Sequence, residues 1–142
     1  MKRIIWIFLL VAVWAGTGNA QKTTKPVPVF VIHQPTIIAF YPHYTQDELD
    51  KGEGDAAAMD DFSFYAYKAE KRLHKAGIDF LTKEARSFKV RVGTKVHYFQ
   101  GGKIDIGYYF IAPGKEPHIE YGVMTDEDLF DAARKYFKIA IR

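Results

Sequence analysis

The chain has 142 residues, 20 Lys and Arg against 17 Asp and Glu, 48% hydrophobic residues, 15% aromatics and no cysteine. That length and apolar content suit one domain with its own core. The lack of cysteine excludes a disulfide scaffold, a cysteine-ligated metal and thiolate chemistry. With no basic stripe, the composition also argues against nucleic acid or an anionic membrane surface as partner.

Lys2 and Arg3 precede an apolar run from Ile4 to Trp14, and Gly16-Thr17-Gly18-Asn19-Ala20 follows as a small-residue exit. This pattern predicts a signal peptide over residues 1–20, with Gln21 opening the mature chain. The apolar run is shorter than the roughly 20 residues a bilayer span requires. The expectation is a periplasmic or secreted protein with no stable membrane anchor after cleavage. Removing Lys2 and Arg3 leaves 18 cations against the same 17 acids, close to neutral. Residues 21–26 read as a flexible polar leader, and residues 27–142 as a single domain.

Within that domain, Pro28 to His33 and Thr36 to Tyr41 are strand-like runs divided by Gln34-Pro35, since Pro35 cannot donate a ladder hydrogen bond. The second run is apolar on both faces, as in a central strand covered by helices on each side. It leads into a loop, Pro42 to Glu48. A helix is predicted over Asp55 to Ala76, where Met59, Phe62, Ala66, Ala69, Leu73 and Ala76 form one apolar stripe. Gly77 stands where a left-handed cap belongs, and Ile78 to Leu81 restarts a strand.

Phe88, Val90 and Val92 alternate with Lys89 and Arg91. Gly93-Thr94 then precedes Lys95 to Phe99, and Gln100-Gly101-Gly102-Lys103 precedes a further strand, so one or two hairpins are expected in the middle of the chain. Tyr108 to Ala112, the turn Pro113-Gly114-Lys115, and His118 to Val123 form another antiparallel pair. Thr125 is a helix N-cap followed by Asp126, Glu127 and Asp128, where acids meet the positive end of the dipole. Leu129, Phe130, Ala133, Tyr136 and Phe137 supply that helix's buried face.

Few residues suggest chemistry. His43 lies in the loop after the central strand, near Asp47 and Glu48, and these three could bind a divalent metal or provide a general base; the alternative is a solvated histidine beside helix N-terminal acids. The acidic segment Asp47 to Asp55 lacks the ligand spacing of a calcium loop. Gly101-Gly102-Lys103 lacks the flanking residues of a phosphate loop and reads as a hairpin turn. Ser63 and Ser87 sit in no nucleophile elbow. Phe62, Phe64, Tyr65 and Tyr67, with Tyr41, Tyr44, Tyr98, Tyr108 and Tyr109, offer either an aromatic binding surface or ordinary packing.

The order of elements resembles the thioredoxin-like fold. Tyr108 to Glu116, Ile119 to Val123 and Thr125 to Leu129 look like that family's closing hairpin and final helix; Thr36 to Pro42 looks like its central strand. Phe40-Tyr41-Pro42 with Thr45 is similar to the peroxiredoxin branch. The resemblance implies an α/β domain with a central mixed β-sheet flanked by helices, here with an extra β-hairpin in the middle of the chain. It also places the family's Cys-x-x-Cys pair at Thr45 and Glu48, and its cis-proline at Ile106 or Gly107. Neither half of a redox site is therefore present. The expected function is a non-catalytic binding or adaptor domain without a cofactor. It would recognise a peptide or protein partner through His43, Tyr44, Thr45, Glu48, Ile106 and Gly107. A metal-dependent protein using His43, Asp47 and Glu48, or a structural envelope component, is the alternative.

Overall fold

The computed structural model describes residues 27–84, 86–99 and 106–141. The expected signal peptide, the leader and the turn at Gln100 to Lys103 lie outside the described residues. The chain runs through β1 (Val29–Ile32), β2 (Thr36–Tyr41), α1 (Gln46–Asp50), α2 (Ala56–Lys75) and β3 (Asp79–Glu84). It continues through β4 (Phe88–Val92), β5 (Lys95–Phe99), β6 (Gly107–Ile111), β7 (His118–Tyr121) and α3 (Asp126–Phe137). Among the described residues, two mixed sheets and three helices make an α/β fold.

A four-stranded sheet has the order β3-β2-β6-β7, and a three-stranded sheet the order β1-β4-β5. In the larger sheet β2 and β3 are parallel and joined through α2, as a strand–helix–strand crossover requires, while β6 and β7 form an antiparallel hairpin on the other side of β2. Gln34-Pro35 does more than interrupt a strand: it sends β1 and β2 into different sheets. Proline ends the first ladder, and the Pro35 carbonyl then accepts from the Asp79 amide at 2.9 Å, fixing the start of β3.

The expectation that helices cover both faces of the central strand is corrected. Alternation along β2 sends Ile37 and Ala39 to one side, into a core with Phe62, Ala66, Ala69 and Leu73 of α2 and Leu129, Phe130, Ala133 and Phe137 of α3. Ile38 points to the opposite side and packs with Ile111 against Ile32, Phe88 and Val90 of the smaller sheet. Helices therefore cover one face of the four-stranded sheet, and a second sheet covers the other. The middle hairpin β4–β5 supplies that cover because Phe88 and Val90 alternate with Lys89 and Arg91, and Gly93 takes the left-handed φ of +59° at its two-residue turn.

Of the two readings of the aromatic residues, ordinary packing holds for several. Tyr108 is fully buried, and Tyr109 is wedged between the sheets, 4.1 Å from the Phe99 ring centroid and 4.8 Å from that of Phe40. Burial raises the pKa of both phenols. Phe62 belongs to the core, whereas Phe64 and Tyr67 face solvent, Tyr67 at 80% exposure. Among the described residues no helix is long and apolar enough to cross a membrane.

Candidate functional site

The parallel pairing of β2 and β3 sets Tyr41 opposite Glu84, so both strands end on the same side of the sheet. The antiparallel register sets Phe40 opposite Gly107. The loop after β2, the end of β3 and the start of β6 thus meet at one end of the sheet. In open α/β sheets the carboxyl ends of strands joined by a crossover are where ligands bind.

His43 stands at this end, and its Nδ1 pairs with Oε1 of Glu84; Arg86 reaches the other carboxylate oxygen at 2.6 Å. The hydrogen bond from His43 is the chief reason the Glu84 carboxyl lies below its ordinary value of 4.5; partial burial works against it, and the Arg86 charge works with it. With Glu84 ionised, the shared proton belongs to His43 Nδ1. The pair fixes the ring's orientation and leaves Nε2 outside it. The arrangement can orient an imidazole toward an incoming polar group, and among the described residues no side-chain nucleophile is hydrogen-bonded to it.

Because Glu84 has a depressed pKa in the folded state, its contribution to stability is present above about pH 4.5 and lost as pH falls through the lower value. Wild-type protein should therefore lose urea resistance as the pH falls below about 4.5 more steeply than Glu84→Gln, whose penalty at neutral pH should stay under about 1 kcal/mol because the pair is partly exposed. Parallel slopes from urea titrations of the two proteins would show that the pair carries no such linkage.

His43 does not join Asp47 and Glu48. Glu48 is committed to the N-terminus of α1: the Thr45 amide donates to its Oε2 at 2.9 Å, and the Thr45 hydroxyl accepts from the Glu48 amide at 3.4 Å. This reciprocal capping box satisfies two otherwise orphaned backbone donors. The two positions that the resemblance assigns to a redox pair thus hold a helix cap at the same spacing. Among the described residues no group of three or more His, Asp or Glu side chains could hold a metal ion. The metal-dependent alternative on His43, Asp47 and Glu48 accordingly loses its ligand set.

Ile106 and Gly107 sit at the expected end of the sheet but are buried. Ile106 joins the helix-side core, so it shapes the site from beneath rather than offering a contact. Tyr44 does line open space. With Leu49, Gly54, Ala56 and Met59 it forms a mainly apolar cleft of about 270 Å³ between α1 and the start of α2. Met59 also borders a second cleft, about 440 Å³, between α2 and β3, lined by Tyr41, Phe62, Tyr67, Phe80 and Thr82. Leu49, Gly52, Gly54 and Asp55 thus build a wall of the first cleft, with Asp55 capping α2 through the Ala58 amide at 2.9 Å.

Sequence reasoning missed Glu84 and Arg86, which lie 41 and 43 residues beyond His43. The signal that could have found them is the strand–helix–strand pattern, which brings the ends of β2 and β3 together wherever it occurs. No protein-family model, curated protein or solved structure gives a significant match to this chain.

Proposed function

We propose that this chain is an exported, non-catalytic binding or adaptor domain of the thioredoxin-like kind, which holds an extended peptide or protein segment at the sheet end built by His43, Tyr44, Thr45 and Glu48. The observation that carries this reading is the apolar cleft lined by Tyr44, which directly follows the Glu84-paired His43 in the loop after β2. The sheet order β3-β2-β6-β7, with α2 and α3 on the same face, is the order expected of that scaffold. Fold-level analogy alone would not establish function; the cleft and the imidazole supply the local argument. Because the chain holds no cysteine, the same face has no group to attack a disulfide, which favours holding over exchange. The basic start and apolar run of the N-terminus support export.

Exposed Leu49 and the Tyr44 ring would clasp apolar side chains of the partner, while His43 Nε2 hydrogen-bonds a partner backbone group. A truncated tyrosine at the centre of such a contact costs about 2 kcal/mol or more. Tyr44→Ala should therefore weaken capture of peptides selected from an array of extended sequences by about 30-fold, with an unchanged urea midpoint. Equal capture by wild type and variant would remove this site.

A further inference from the structure

The opposite edge of the four-stranded sheet carries a second binding feature. Among the described residues β7 pairs only with β6, so one side of its backbone faces outward. The Gly122 amide donates to the Ile106 carbonyl at 2.6 Å, which marks residues 106 and 122 as a hydrogen-bonded pair. Alternation along an antiparallel ladder then turns the backbone groups of His118 and Glu120 toward β6 and those of Ile119 and Tyr121 toward the open side. Two N–H and two C=O groups are thus presented in line, and no backbone bond outside the ladder uses them among the described residues.

The two faces of this edge differ sharply. On the helix side, a cleft of about 460 Å³ lies between β7 and the end of α3, with Lys115, Lys135 and Lys138 around it. The only carboxylate lining it is that of Glu120, which is paired with His118 at 2.7 Å. Lys135 and Lys138 have no side-chain partner among the described residues, and Lys115 donates to the Tyr136 carbonyl at 2.6 Å rather than to an acid. That bond also occupies one of the terminal helix carbonyls that would otherwise repel an anion. On the other side, Ile119 and Tyr121 offer apolar surface, with Tyr121 61% exposed.

We propose that β7 is a strand-addition site for an extended peptide in which acidic and apolar side chains alternate. A strand added about 4.8 Å away pairs its backbone with Ile119 and Tyr121. Its period of two then drops every second side chain into the lysine cleft and lays the others against Ile119 and Tyr121. Carboxylates suit the first set because the cleft has an excess of unpaired cations; valine or tyrosine suits the second. A peptide with the opposite charge meets three lysines and gains only Glu120, which His118 already holds.

The test uses the full chain and a fluorescein-labelled hexapeptide alternating glutamate with valine, a second peptide with lysine in place of glutamate, and inorganic phosphate. Anisotropy titration should show the glutamate peptide binding at least about tenfold tighter than the lysine peptide, with affinity falling as salt rises. The amides of Ile119 and Tyr121 should gain protection from hydrogen exchange at saturation. A Lys135→Glu, Lys138→Glu double variant, altered only at exposed positions, should lose about tenfold or more. Tyr44→Ala should bind this peptide normally, which separates the site from the one proposed above. Overturning results are equal binding of the two peptides, no binding at millimolar concentration, or binding that leaves the Ile119 and Tyr121 amides unprotected. Complete competition by millimolar phosphate without amide protection would reveal an anion subsite only and would equally overturn strand addition.

Discussion

Phe110→Ala should destabilise the protein by about 4 kcal/mol, within the range for deleting a buried aromatic ring. Phe110 is fully buried in β6, and its ring lies about 6 Å from the rings of His118, Tyr136 and Phe137. It is thus the point where the β6–β7 hairpin meets α3. Removing it leaves a cavity that neither element can close: β6 is hydrogen-bonded on both sides, and α3 is pinned to α2 by Arg72–Glu127 at 2.8 Å and Lys68–Asp126 at 3.2 Å. Phe64→Ala is the matching control. Its ring is 58% exposed, and the expected change is within about 0.5 kcal/mol. Urea denaturation of both variants checks the pair; similar losses would mean that the helix–sheet core is not where the stability resides.

Gly107→Ala should cost about 3 kcal/mol, an unusual penalty for one methyl group. A Cβ at this position would stand 2.5 Å from Cζ of Phe40 and 2.7 Å from the carbonyl oxygen of Glu120. The Phe40 ring has little room to retreat, being buried and packed against Tyr109 and Tyr121. The Glu120 carbonyl is backbone in the neighbouring strand and can move only with the ladder. In a Phe40→Leu background the same substitution should cost about 1 kcal/mol less, because only one of the two collisions is relieved. Additive losses in the double variant would show that the strand shifts instead of the ring. Glycine is therefore required at 107 by close approach.

These two positions also mark what could be read from the chain alone. The amphipathic stripe of α2, the cap at Thr125 and the alternating residues of β4 are local patterns, and each element formed within a few residues of its predicted bounds. Gly77 takes the left-handed φ of +75° just past α2, as its position predicted. What local pattern could not supply was pairing. Apolar residues on both faces of β2 imply cover on both sides but not its kind, so helices were expected on both faces although β1 and the β4–β5 hairpin, themselves predicted as strands, cover one of them. The partner of His43 was missed for the same reason, because Glu84 is brought to it only by the parallel register. Nearby Asp47 and Glu48 looked more plausible in sequence but were already engaged in building α1 and its surroundings. Tyr108, for which the tyrosine-rich run left surface or packing open, is turned by its strand position into the helix-side core, where the Met124 amide donates to its hydroxyl at 3.5 Å.

The two-layer cover of β2 has a kinetic consequence. The smaller sheet is held to the larger through Ile32, Ile38, Phe88, Val90 and Ile111, with Phe99 and Tyr109 partly buried beside them, whereas the helix layer is anchored by side chains from nearly every turn of α2 and α3. Fewer buried contacts mean a lower free energy of local opening. The β1-β4-β5 flap should lift before the helices loosen, so proteolytic nicking would begin at its hairpin while the four-stranded platform stays closed.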